Sequence, residues 1–295
     1  MCSLSRGPAS LQRPKAYRCQ ATSIDGLVQQ VAVSYLRHGY WYYVTGMIPE
    51  EKDPEEIDSK LIARYQIDVT ERERASRKRS GLANMQYIRH ESFFLLMCSQ
   101  GLHEFRQREE DLIRDARKVP ILIPKVARLR RKKKKHADSR LFEGYAVSYR
   151  RGHWARKSEE DKTLYKELRG RGERPARGER DHAWRSRVEI EKRTYRRLRA
   201  YFLNIAPHRS VQNLAHELDA ISYQPYAPVR QQLLALVRDI NKVRKIAGVK
   251  LPVPYEVLNL KRVQIHPFAE RNAESNESRV RDVEGATQSR MRPKR

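Results

Sequence analysis

From Arg128 to Lys135 the chain reads Arg-Leu-Arg-Arg-Lys-Lys-Lys-Lys, a run that can neither be buried nor neutralised by its own neighbours. Any packed structure must be assembled from the sequence on either side, with this stretch looped out into water. The run belongs to the most basic quarter of the chain. Residues 125–199 hold 27 Lys and Arg against 11 Asp and Glu, a local net charge of +16 out of +26 for all 295 residues. Over the whole chain Arg outnumbers Lys 43 to 19, and the flat, forked guanidinium suits phosphates, guanine edges and stacked bases. Cations gathered in this way predict a polyanionic partner, nucleic acid in the first place.

Hydrophobic residues make up 39% of the chain, short of the roughly 45–50% of ordinary globular proteins, so part of it is expected to stay outside any core. The sequence divides into a disordered basic arm (1–22), a core (23–150) interrupted by a basic loop (125–140), a basic polar linker (151–187), a helical subdomain (188–268) and a disordered tail (269–295). No stretch approaches the roughly 18 consecutive apolar residues that crossing a bilayer needs, and no membrane partner is expected. Cys2, Cys19 and Cys98 are odd in number and widely spaced. That pattern argues against a disulfide framework or a cysteine zinc site and for a cytoplasmic address. No cofactor or metal is implied, and the oligomeric state is not legible.

Ser23 can cap a helix with apolar residues at Ile24, Leu27, Val28, Val31, Tyr35 and Leu36, and Gly39 can end it. The aromatic and β-branched stretch 40–48 predicts a strand, with Gly46 marking either a bulge or a close approach. Asp53-Pro54-Glu55-Glu56 carries the start signals of a helix that continues through Tyr65. Thr70 can cap another, reaching Ala83, whose Arg72, Arg74, Arg77, Lys78 and Arg79 form a candidate phosphate-facing side. Residues 85–89 and 93–98 predict a β-hairpin. Its second strand, Phe-Phe-Leu-Leu-Met from residue 93, lacks alternation and is expected to be buried on both faces. A helix is expected at 107–117, strands at 119–123 and 145–149, and a short helix at 159–168. In the last third Ile190, Tyr195, Leu198, Tyr201, Phe202 and Ile205 mark one helix face. Ser210 caps a short helix, and Pro228 opens a longer one that ends at Gly248. This order predicts an α+β fold: a mainly antiparallel sheet with helices on one face, followed by a helical C-terminal subdomain.

Motifs for catalysis are sparse. The loops of nucleotide hydrolysis, dinucleotide binding and acyl transfer are missing, as is His-Glu-x-x-His. Gly144-Tyr145-Ala146 resembles the centre of the RNP1 octet of RNA-recognition motif domains. The opening position holds Glu143 and the fifth lacks an aromatic, so no function is carried over. The nicking mechanism of tyrosine nucleases needs a His-x-His pair, and none of the nine histidines stand two apart. Tyr195 and Tyr201 are the tyrosines that such chemistry could use; packing of the helix face is the plainer role for both.

The sequence therefore predicts a nucleic-acid-binding protein without an evident catalytic motif. Its phosphate contacts are expected from Arg128, Arg130, Arg131, Lys132, Lys133, Lys134 and Lys135 in the loop and from Arg193, Arg196, Arg197 and Arg199 on a helix. Trp41 and Tyr43 are expected to offer ring surfaces to unstacked bases. The alternatives are a DNA-processing protein of a replication or transposition system, and a ribosome- or RNA-associated structural protein.

Overall fold

Side-chain caps start several of the helices where the sequence places them. The computed structural model describes residues 17–125, 144–151, 159–172 and 182–269; the lysine run lies outside them. Ser23 Oγ accepts from the Gly26 N–H at 3.1 Å and opens α1 (Ile24–Gln29). This helix runs on through a π-helical turn (Gln30–Tyr35) and a 3-10 turn (Leu36–His38), ending at Gly39 with φ +92°. Asp53 caps α2 (Pro54–Arg64), with proline in its first turn. Thr70 caps α3 (Glu71–Arg79), which buries none of its residues.

Between them lies β1 (Tyr42–Met47), and after them the hairpin of β2 (Met85–His90) and β3 (Phe93–Cys98), joined by Glu91 and Ser92. A short α4 (Glu104–Arg108) and a two-residue β4 (Arg114–Asp115) follow where one helix over 107–117 is expected. That segment has only Ile113 and Ala116 to bury, too few for a helix face, and it turns back to the sheet instead. These strands form an antiparallel sheet in the order β2-β3-β1-β4. As its lack of alternation implies, β3 is internal and buried on both faces: Leu95 and Met97 enter one cluster, Leu96 and Cys98 another. Gly46 is not a bulge. It pairs in unbroken register with Phe94, whose ring lies where a Cβ would stand, 2.4 Å from that position.

A second antiparallel sheet has the order β5-β6-β7, with β5 (Ile121–Pro124), β6 (Gly144–Arg150) and β7 (Arg185–Ile190). A helix α5 (Glu159–Gly170) lies between β6 and β7 in sequence. β7 corrects the reading of residues 151–187 as linker: the boundary expected after Arg187 falls inside a strand that pairs with β6 from Arg150↔Arg185 to Tyr145↔Ile190. Ile190 thus belongs to this strand and not to the helix that follows, α6 (Lys192–Ile205). Then come α7 (Val211–Asp219), capped by Ser210, and α8 (Ala227–Ile246), ended by Gly248 at φ +76°. The fold is α+β with both sheets antiparallel and a helical C-terminal part.

One cluster joins α1, both sheets and the C-terminal helices through Leu27, Tyr43, Met97, Val147, Val188, Phe202, Leu236 and Ile240. The other face of the four-stranded sheet is covered by Tyr65, Ile67 and Phe105. The chain on the N-terminal side of α1 is docked from Tyr17 onward, where a disordered arm is expected through residue 22. Cys19 O accepts from the Arg89 N–H at 2.8 Å, the Ala21 N–H donates to Arg89 O at 2.7 Å, and Ala21 is buried. The β2 backbone supplies what the arm's polar composition conceals, a row of edge hydrogen-bonding groups to pair with.

Candidate nucleic-acid interface

Ala116 joins the two sheets. Its N–H donates to Trp41 O at 2.8 Å and its carbonyl accepts from the Tyr149 N–H at 3.0 Å. Trp41, at the lead-in to β1, is thereby set beside Tyr149 on β6, and their rings stack with centroids 6.0 Å apart and planes 21° from parallel. Tyr149 stacks in turn on Trp184, just before β7, at 5.6 Å and 15°. A guanidinium group lies beside the column at each end. Arg117 lies 4.4 Å from the Trp41 ring centroid, and Arg151 lies 5.7 Å from that of Trp184. Beyond Arg117, the Tyr42 ring is covered by Arg106 at 4.0 Å. Rings and guanidinium groups attract one another through the ring quadrupole and by flat stacking.

The two ends differ. Arg117 is pinned to Asp115, with Nη2 to Oδ2 at 2.7 Å and Nε to Oδ1 at 3.0 Å, and it also donates to the Tyr42 hydroxyl at 3.2 Å. Burial works against ionisation of Asp115, but Arg117's side chain and backbone N–H outweigh it and hold the carboxyl below its usual range. Arg151 is exposed and has no carboxylate partner among the described residues. Trp184 is 41% exposed, whereas Trp41 is half-buried and donates its indole N–H to Leu36 O at 3.1 Å. Next to Trp184, Arg185 stands directly across from Arg150 in the β6–β7 register.

Tyr43 is not part of this surface, which corrects its expected role in stacking. It is buried on the inner face of β1, and its hydroxyl donates to Pro120 O at 2.9 Å; burial pushes its pKa up to about 12. Tyr145, in the stretch that resembles the RNP1 centre, is likewise buried, and its hydroxyl donates to Asp25 at 2.6 Å. The position that takes their place is Trp184. It stands in polar sequence, and its only local signal is that Ser186, Val188 and Ile190 follow it at a spacing of two.

On α6, Arg193, Arg196 and Arg197 are exposed with no carboxylate partner among the described residues, and their i, i+3, i+4 spacing sets them on one stripe. Arg199 points elsewhere: its Nε donates to Asp239 on α8 at 2.8 Å. Tyr195 donates to Gln232 O at 3.0 Å and Tyr201 to Glu217 at 2.8 Å, so both hydroxyls are engaged between helices. On α3 two of the five candidate cations are committed, while Arg72, Lys78 and Arg79 are exposed. Arg74 donates to the carbonyls of Ile67, Val69 and Met85, and Arg77 to Glu73 and Gln66. Arg128, Arg130, Arg131, Lys132, Lys133, Lys134 and Lys135 lie outside the described residues. They occupy the connection between β5 and β6, which leaves from Lys125, whose ammonium sits 4.4 Å from the Tyr223 ring centroid.

Among the described residues no three His, Cys, Asp or Glu side chains are grouped to hold a metal ion, and no helix is long and apolar enough to cross a membrane. The cysteines Cys19 and Cys98 are free thiols, and the chain matches no family model, no curated protein and no solved structure.

Proposed function

We propose that this protein binds nucleic acid, with phosphates as its main contacts. The observation that carries the reading is the column from Arg117 through Trp41, Tyr149 and Trp184 to Arg151. It offers complements to both chemistries of a nucleotide, flat rings for its bases and cations for its phosphates. The sequence before and after β6 is also rich in Lys and Arg, and the stripe of Arg193, Arg196 and Arg197 adds a further row of cations. Cations that replace condensed counterions make such binding fall steeply with salt.

The test is a salt titration of binding to single-stranded DNA, duplex DNA and RNA of matched length. Changing Lys132, Lys133, Lys134 and Lys135 together to Gln is expected to weaken binding to all sequences alike and to flatten the dependence on salt, by about 0.9 in the logarithmic slope for each duplex phosphate that is no longer neutralised. Binding that is absent, or that ignores salt, overturns the proposal.

A further inference from the structure

We infer that Trp184 is a stacking platform for an unpaired base, which makes single-stranded nucleic acid the preferred ligand; the inference rests on the nucleic-acid reading above. At the Trp41 end the column is finished. Arg117 lies over the indole and is locked there by Asp115 and the Tyr42 hydroxyl. Tyr149 has a ring on either side. Of the three ringed residues Trp184 is the most exposed, at 41%, and beyond Tyr149 its ring neighbour among the described residues is the exposed guanidinium of Arg151 at 5.7 Å.

That distance is longer than the 4.4 Å between Arg117 and Trp41, and Arg151 is held by no carboxylate among the described residues, so a flat ring can take the guanidinium's place against Trp184. A base that does so continues the stack begun by Trp41 and Tyr149. Its phosphates then fall on the side of the exposed Arg151. Paired bases in a duplex offer no free face along the helix, so the site selects strands whose bases are unstacked. Every base has a π-face, so little sequence preference is expected.

The experiment uses the full chain with four probes of equal length: oligothymidylate, oligouridylate, a mixed-sequence duplex DNA and an abasic phosphodiester. Trp184→Ala is expected to lose about tenfold in affinity for the two single strands, with Trp184→Phe recovering most of it. Far-ultraviolet circular dichroism shows that the variant is folded, and its affinity for the duplex and the abasic strand should fall much less than for the single strands. Equal affinity of the wild type for the abasic strand and oligothymidylate overturns the inference, as does an unchanged Trp184→Ala affinity for both single strands; in those cases phosphate binding itself stands. Failure of the wild type to bind any of the four probes overturns the parent reading instead.

Discussion

Arg89 on β2 and Asp58 on α2 form a buried ion pair, Nη2 to Oδ2 at 2.8 Å and Nε to Oδ1 at 2.9 Å, that fastens a helix to the outer strand of the four-stranded sheet. The Tyr87 hydroxyl donates to the same carboxylate at 2.5 Å, and Arg89 Nη1 donates to Glu91 O at 2.8 Å, so both charges are well satisfied. Removing one partner strands the other charge in the interior. Asp58→Ala is expected to lower the unfolding free energy by about 3–5 kcal/mol. Urea denaturation measures it, and the double variant Asp58→Ala/Arg89→Met should regain part of the loss.

Arg244 has a different kind of burial, with carbonyls in place of a carboxylate. Its Nη1 donates to Ala206 O at 2.7 Å and Arg209 O at 2.8 Å, and its Nε to Leu251 O at 3.1 Å, which ties the end of α6 to the chain beyond α8. Arg244→Met leaves these acceptors without a donor, at an expected cost of about 3 kcal/mol. A single ammonium cannot reproduce the fork, so Arg244→Lys should recover little of the thermal stability.

Gly46 and Gly144 are both closely approached, but by different kinds of neighbour. A Cβ on Gly46 would meet the far end of the Phe94 side chain at 2.4 Å, whereas one on Gly144 would meet the Ile123 carbonyl oxygen at 2.5 Å. A ring can swing away and a backbone in a strand ladder cannot. Gly46→Ala is therefore expected to cost about 1 kcal/mol and Gly144→Ala about 3 kcal/mol, at the two ends of the usual overpacking range. Equal midpoints in thermal melts of the two variants would contradict this.

Acid should weaken the fold through Asp115 and Glu191. Burial opposes the ionisation of each, but hydrogen bonds from Arg117 to Asp115, and from the Arg193 and Thr194 N–H groups to Glu191, hold both below the ordinary carboxylate range. With folded values below unfolded ones, their stabilisation is complete above about pH 5 and is lost as the pH falls through the folded values. Unfolding free energy followed from about pH 6 to about pH 2 should fall less in Asp115→Asn/Glu191→Gln than in the wild type.

The elements legible in the sequence are those that carry their signal locally. Ser23, Asp53, Thr70 and Ser210 each cap the helix that follows, and the unbroken apolar run from Phe93 marks a strand covered on both sides. β7 is concealed because its outward positions are Arg185, Arg187 and Glu189, which read as a continuation of the charged stretch before them. The aromatic column has no local signature at all. Its rings come from residues 41, 149 and 184, and what brings them together is pairing between distant strands. Tyr43 illustrates the reverse error: alternation correctly puts it on the face opposite Tyr42 and Val44, but a second sheet and the C-terminal helices cover that face.

Ala116 has no exposed surface, and both its backbone groups are spent on holding Trp41 and Tyr149 at their separation. The gap between an indole from one sheet and a phenol from the other is consequently a built-in gauge of that joint. Near-ultraviolet circular dichroism, through the optical coupling of closely spaced rings, will register any slip of one sheet past its neighbour.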